Sequence, residues 1–353
     1  MTRSVLTALA LLSVAGLASP PIGQAQSFKV EKFDIKGEGG TDYVTVETST
    51  GRVFVSRSDH VMVVEGATGK VLGDIPNTPR VHGVGIAPKA GHGFTTNGGN
   101  EMVTMFDLKT LAVLKQIKVG PGLDGIMYDA PDDKIILTNH SRPIGTLTAL
   151  NPETGDIVAT VELEDTSPEG AATDGKGHIF VNNEGKSTIQ VIDVATWKAT
   201  ASWPLAPCDG PTGIAYDTVS NRLFSGCSKT SVVVDATTGK VVASIANGTR
   251  VDALGWDPST KLIYIPNGGE GNVTVVHQES ADSYSVVATV PTFHGAKTIS
   301  VDPATHNAYL FQPERGPAPA PPAGAPPATE GPGGSRRGPQ GPILAAWFIV
   351  IKQ

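Results

Sequence analysis

Residues Ser231 to Ile245 read SVVVDATTGKVVASI. Three valines in a row form a short β-branched run, the composition that favours a pleated, largely buried strand. Asp235 and Thr238 close it. An aspartate three residues ahead of a threonine bonds backbone N–H groups through its side-chain oxygen and turns the chain. Gly239 supplies the left-handed backbone that such a hairpin needs, and Val241 to Ile245 form the returning strand. The stretch therefore reads as one antiparallel hairpin, and its importance is that it recurs.

Working outward, the same turn appears at Asp107–Thr110, Asn151–Thr154 and Asp193–Thr196, with glycines at Gly69 and Gly155 in the position of Gly239. Third-strand runs like Val232–Val234 occur at Val61–Val64, Val103–Phe106, Leu147–Leu150, Ile189–Ile192 and Val273–Val276. Copies of the whole unit begin near Asp42, His82, Asp124, Glu169, Thr212, Asp252 and Lys297. Their spacing of about 40 to 45 residues is the period of four-stranded propeller blades. An apolar or aromatic residue follows each start by about twelve positions, at Phe54, Phe94, Ile136, Phe180, Phe224, Tyr264 and Tyr309, a spacing that repeats with the period. A polar second-strand end comes next, at Arg57, Asn97, Asn139, Asn183, Cys227, Asn267 and Gln312. The expected fold is all-β, a seven-bladed β-propeller of four-stranded antiparallel blades.

The run from Val232 to Ile245 and the Thr-Asn or Pro-Asn strand ends at Asn97, Asn139 and Asn267 resemble the YncE-like, YVTN-repeat propeller family. The resemblance spans nearly all of the chain after the first residues. It implies the fold, and it leaves function to be argued from a site, because such folds host many roles.

Two features complete the ring. The last blade has runs near Thr298–Val301, Ala308–Phe311 and Leu344–Ile351 but no fourth. Phe28–Ile35 is an unpaired run before blade one, and it is expected to dock as the outer strand of the last blade, sealing the seam. Residues 313–342 are rich in Pro, Gly and Ala. They are expected to form a disordered loop inside the last blade, because such a composition buries too little apolar surface to order itself.

Arg3, the small and apolar run Ser4–Ala18 and the small residues Gly23 and Ala25 form the pattern of a secretory signal peptide over residues 1–25, leaving 26–353 as a single propeller domain. The expectation is export to the periplasm or beyond. No further run is long enough to span a bilayer as a helix. Export makes Cys208 and Cys227, the two cysteines of the chain, a disulfide candidate. The net charge of −7 argues against nucleic acid as partner, and a monomer is expected.

First strands of propeller blades line the central channel and begin where second strands stop, so both polar columns are expected at one channel mouth. The ligand-binding candidates there are Asp42, Arg57, His82, Asn97, Asp124, Asn139, His140, Glu169, Asn183, Asp252, Asn267, His294 and Lys297. Converging carboxylates raise one another's proton affinity or recruit a cation, and His82, Asp124, Glu169 and Asp252 suit a divalent metal. Tight metal motifs such as His-x-x-x-His are absent from the sequence, as is a Gly-x-Ser-x-Gly elbow, so no catalytic set is evident. The leading expectation is a propeller that binds a small ligand, a cation or a protein partner at the funnel. The alternatives are a metal-assisted hydrolase of lactonase type, which the resemblance implies because lactonases use similar folds, and a structural surface or scaffold protein.

Overall fold

The computed structural model describes residues 27–319 and 340–353. It is all-β, with seven four-stranded antiparallel sheets arranged as the blades of a ring. Blade five shows the plan: Ile214–Asp217 innermost, then Arg222–Ser225, Thr230–Asp235 and Val241–Ala246. Second and third strands are buried on both faces, as in Val61–Glu65 and Leu262–Asn267, which is why they read as continuous apolar runs rather than alternating ones. Outer strands such as Val113–Lys118 are mostly exposed.

The core lies between blades rather than within one. Phe54, Val61, Val63 and Ile75 of blade one pack on Val81, Val84 and Phe106 of blade two. A similar layer separates the other neighbours. The turns carry the predicted chemistry: the Thr110 and Thr238 amides donate to the carboxylates of Asp107 and Asp235 at 2.7 and 2.9 Å, and Gly69, Gly155 and Gly239 all have φ near +70°.

The ring closes as expected. Lys29–Asp34 pairs antiparallel with Ile343–Lys352, from Lys29↔Lys352 to Asp34↔Trp347, and so completes blade seven from the other end of the chain. One boundary is corrected. The second strand of blade seven runs from Asn307 to Arg315, so Pro313, Glu314 and Arg315 are strand rather than loop. Pro313 is tolerated because the innermost strand of that blade, Ser300–Asp302, ends its pairing at Tyr309 and leaves no ladder partner for the missing N–H. Residues 316–319 and 340–342 of the expected loop lie outside any strand, while residues 320–339 and the expected signal peptide lie outside the described residues. No helix among the described residues is long and apolar enough to cross a membrane.

Near the axis the innermost strands approach so closely that side chains are excluded. A Cβ on Gly213 would lie 2.3 Å from the backbone of Ala253, and one on Gly170 would lie 2.8 Å from the Thr212 carbonyl. Cys208 and Cys227 form a disulfide with Cα atoms 5.7 Å apart, pinning the loop that leads into blade five to that blade's second strand.

Gly213→Ala should therefore lower stability by roughly 1–3 kcal/mol through overpacking of backbone on backbone, read as a fall in the thermal unfolding midpoint. Replacing both cysteines by serine should cost about 3 kcal/mol, the loop-closure value for a bridge across some twenty residues. A denaturant midpoint unchanged in the serine variant would contradict this.

Candidate functional site

Three of the innermost strands start with a register shift. It falls between Val81 and Val84, between Leu123 and Ile126, and between Pro168 and Ala171. Each bulge holds a polar residue followed by glycine: His82-Gly83, Asp124-Gly125 and Glu169-Gly170. A bulge adds a residue on one strand and re-aims its side chain. The glycine lets the backbone pass its neighbour: a Cβ on Gly125 would sit 3.0 Å from the Glu169 carbonyl. The same local device thus delivers His82, Asp124 and Glu169 to one end of the channel.

There they form a circuit. His82 Nδ1 lies 2.8 Å from Asp42 Oδ2 and 3.3 Å from Asp124 Oδ1. His140 Nε2 lies 3.1 Å from Asp124 Oδ2 and 3.2 Å from Glu169 Oε1. The Tyr43 hydroxyl donates to Glu169 Oε2 at 3.3 Å across the axis, and Tyr43 is the chain neighbour of Asp42. Although Nε2 of His140 is within ion-pair distance of both carboxylates, it is buried and makes no hydrogen bond of good direction to either. Asp124, His140 and Glu169 offer one ligand atom each within 4.8 Å of one another. Below the mouth lies a channel cavity of about 190 Å³ with mixed walls, Val84, Ile126, Ile214 and Leu254 beside Tyr43, Thr45 and Asp252.

Burial sets the proton affinities. Glu169 is 6% exposed; desolvation, aided by the Asp124 charge, pushes its carboxyl up to about 7 against the pull of His140. Burial alone would lower His140, but its contact with Glu169 and the charge of Asp124 outweigh it and raise the imidazole to about 9. Burial likewise raises Asp42, partly offset by His82, and drives the Tyr43 phenol well above its ordinary value.

Of the four residues expected as metal ligands, Asp124 and Glu169 come together, and His140 completes their group. His82 is turned towards Asp42. Asp252 is bonded to Lys297 Nζ, so its charge is already matched. Five residues of the second polar column are not presented to the mouth. Arg57, Asn97, Asn139, Asn183 and Asn267 are all buried. Asn97 donates to Thr104 Oγ1 at 2.8 Å and Asn267 to Thr274 Oγ1 at 2.8 Å, tying second strands to third strands. Asn183 Nδ2 bonds Glu164, and Asn139 Nδ2 reaches the Pro121 carbonyl. Arg57 donates to the carbonyls of Lys36 and Gly37 and stacks over the Phe311 ring at 4.6 Å. The physical reason is that a second strand's last side chain points into the blade, where polar atoms need internal partners. His294 sits apart, exposed, with Nδ1 2.8 Å from the Gly269 carbonyl.

Tyr43 was not singled out from the sequence. The signal is a bulky residue in a column of small ones: it follows Asp42 where Gly83, Gly125, Gly170, Gly213, Ala253 and Thr298 follow the other starts.

No family model matches the chain, and no curated protein matches it in sequence. Solved structures do. The chain is similar to hydrazine synthase of Kuenenia stuttgartiensis, with TM-score 0.68 and 17% identity over 78% of this chain and 93% of that one. It is similar to the RRP9 WD40 repeats, with TM-score 0.73 and 10% identity over 91% and 97%. It is also similar to U3-55K, with TM-score 0.74 and 10% identity over 91% and 98%. At such identities the likeness shows the fold alone: a seven-bladed β-propeller with WD40-like structural neighbours.

The mouth makes stability pH-dependent in a defined direction. Glu169 and His140 both hold their protons more tightly when folded, so the folded state binds more protons than the unfolded state between pH 4.5 and about 7 for Glu169, and between 6.5 and about 9 for His140. Stability contributed in those windows is lost as pH rises through them. In chelator-treated protein the unfolding midpoint should fall from pH 5 to pH 9, and Glu169→Gln should flatten the acidic half of that fall. An equally steep fall in the variant would show that other groups cause it.

Proposed function

We propose that the protein is a binding propeller that takes a small ligand at its funnel mouth through a divalent cation held by Asp124, His140 and Glu169. The observation that carries this reading is the position of His140 Nε2, 3.1 and 3.2 Å from two carboxylate oxygens without a directed hydrogen bond to either. Ligand atoms bound at roughly 2.0–2.2 Å to one ion stand about 2.8–3.6 Å from each other along the edges of an octahedron or tetrahedron. Two carboxylates and an imidazole suit a first-row transition metal or zinc better than calcium, which prefers oxygen alone. Bound there, the ion would act as a Lewis acid for a carbonyl, carboxylate or water on the ligand. Tyr43 and His82 border the position and would orient what binds.

A second reading is a metal-assisted hydrolase of lactonase type. Its support is the Glu169 carboxyl, raised to about 7, since a group poised near neutral pH both takes up and gives back a proton. Its test is turnover of a lactone panel that is lost in Glu169→Gln. The reading of the chain as exported, with residues 1–25 as its signal, and as a relative of the YncE-like propellers completes the proposal. The Cys208–Cys227 disulfide fits an oxidising compartment.

Elemental analysis of protein purified without chelator, beside the Asp124→Asn/Glu169→Gln variant, tests the cation. One equivalent in the first and none in the second is expected. Metal absent from both, or equal in both, would rule the ion out at this position.

A further inference from the structure

A second cavity, of about 380 Å³, opens beside the mouth where blades six, seven and one meet. Its walls carry Arg250, His294, Lys297 and Arg315, and no carboxylate lines it among the described residues. That is unusual on a chain with net charge −7. Lys297 is shared with Asp252 on the mouth side. The guanidinium groups of Arg250 and Arg315 form no ion pair among the described residues, and Arg315 Nη1 meets only the Gly341 carbonyl at 3.1 Å. Glu270, a neighbouring acid, is turned to Thr249, whose N–H and hydroxyl donate to it at 2.7 and 2.9 Å.

Two further features belong to this cleft. Gln312 Oε1 is buried there without a partner among the described residues, while its Nε2 donates to the Pro313 carbonyl at 3.1 Å. Gly268 and Gly295 form its floor: a Cβ on the first would strike Lys297 at 2.8 Å, and one on the second would strike the Gln312 amide at 2.7 Å. Arg250 is held at φ +57°, a left-handed conformation that costs a non-glycine residue energy and recurs at functional positions.

We propose that this cleft binds a small oxyanion that also carries an O–H group, of the hydrogen phosphate or hydroxycarboxylate class. Unpaired arginine forks match the planar edge of a carboxylate or the face of a phosphate. The free Gln312 oxygen accepts the hydroxyl, which a fully deprotonated, hydroxyl-free anion does not offer. The site is separate from the cation at the mouth, and its anion specificity does not rest on that reading.

The test is calorimetric titration of the chelator-treated protein with inorganic phosphate and, separately, with malate. Saturable one-to-one binding of either anion is expected, weakening with added salt. The Arg250→Gln/Arg315→Gln variant should lose about tenfold or more in affinity, the loss expected for charge-assisted hydrogen bonds. Its unfolding midpoint serves as the check on folding. Which anion binds more tightly distinguishes phosphate from carboxylate ligands. The Asp124→Asn/Glu169→Gln variant should bind the anion as wild type does. No binding of either anion, unchanged affinity in the arginine variant, or loss of binding in the mouth variant would each overturn the proposal, the last by placing the anion on the mouth instead.

Discussion

Seven innermost strands converge on one axis, and the space between neighbours there admits backbone but little side chain. Where Gly83, Gly170 and Gly213 stand, a Cβ would fall within 2.7, 2.8 and 2.3 Å of an adjacent strand's atoms. Close packing on this scale leaves few ways to add even one methyl group. The constraint explains more than the glycines. A strand that must pass its neighbour so closely and still keep its ladder with the second strand does so by bulging. The residue before the glycine is then released from the pleat and directed to the channel mouth. Ring closure and delivery of His82, Asp124 and Glu169 are consequences of the same crowding.

The seam is where that constraint is hardest to meet, since one blade is built from both ends of the chain. Lys29–Asp34 supplies the missing outer strand, and Arg57 fastens the segment that follows it. Arg57 stands in blade one where five other blades place Asn or Gln and blade five places Cys227 at the same column. Of those shorter side chains, Asn97, Asn183 and Asn267 tie second and third strands of their own blades together. Arg57 instead reaches the carbonyls of Lys36 and Gly37 and lies over Phe311 of blade seven. Burial lowers its guanidinium to about 10, a measure of how little water is left around it. A buried cation with no carboxylate bonded to it is costly, and it is placed where three parts of the chain have no covalent reason to stay together.

Much of the fold is legible in the sequence because each blade repeats one statement of it. A single run such as Val232–Ile245 is an ambiguous hairpin, yet seven copies at constant spacing leave few architectures. The mouth is less legible for a physical reason. Column position tells which residues stand at one height on the ring. It does not tell which way a side chain leaves the strand. Asp124 and Glu169 begin bulges and point inward. Asn97 and Asn267, close by in height, end regular second strands and point into the blade. Asp252 shares the column of Asp124 but has Lys297 beside it in the next blade, so the charge is neutralised within the ring. His140 lies one residue past the end of its strand, and only the turn there brings Nε2 between two carboxylates.

The circuit at the mouth also depends on what lies beneath it. The channel below is small and narrow, lined by Val84, Ile126, Ile214 and Leu254 together with Tyr43, Thr45 and Asp252, so the carboxylates of the circuit face a confined protein interior on one side and solvent on the other. Charges at such a boundary interact more strongly than in water, and two imidazoles set among three acids are the arrangement that keeps the group near neutral without removing it from solvent. The acids raise the proton affinity of both His82 and His140, so proton uptake on the imidazoles offsets part of the negative charge. If the proposed divalent cation binds, it would take the place of the proton on His140 and draw the same two oxygens, because both must balance the same negative charge in nearly the same volume. Metal affinity would then be linked to the release of that proton. The geometry that holds these charges together is for this reason close to the geometry that the proposed ion requires, and one set of side chains would serve both.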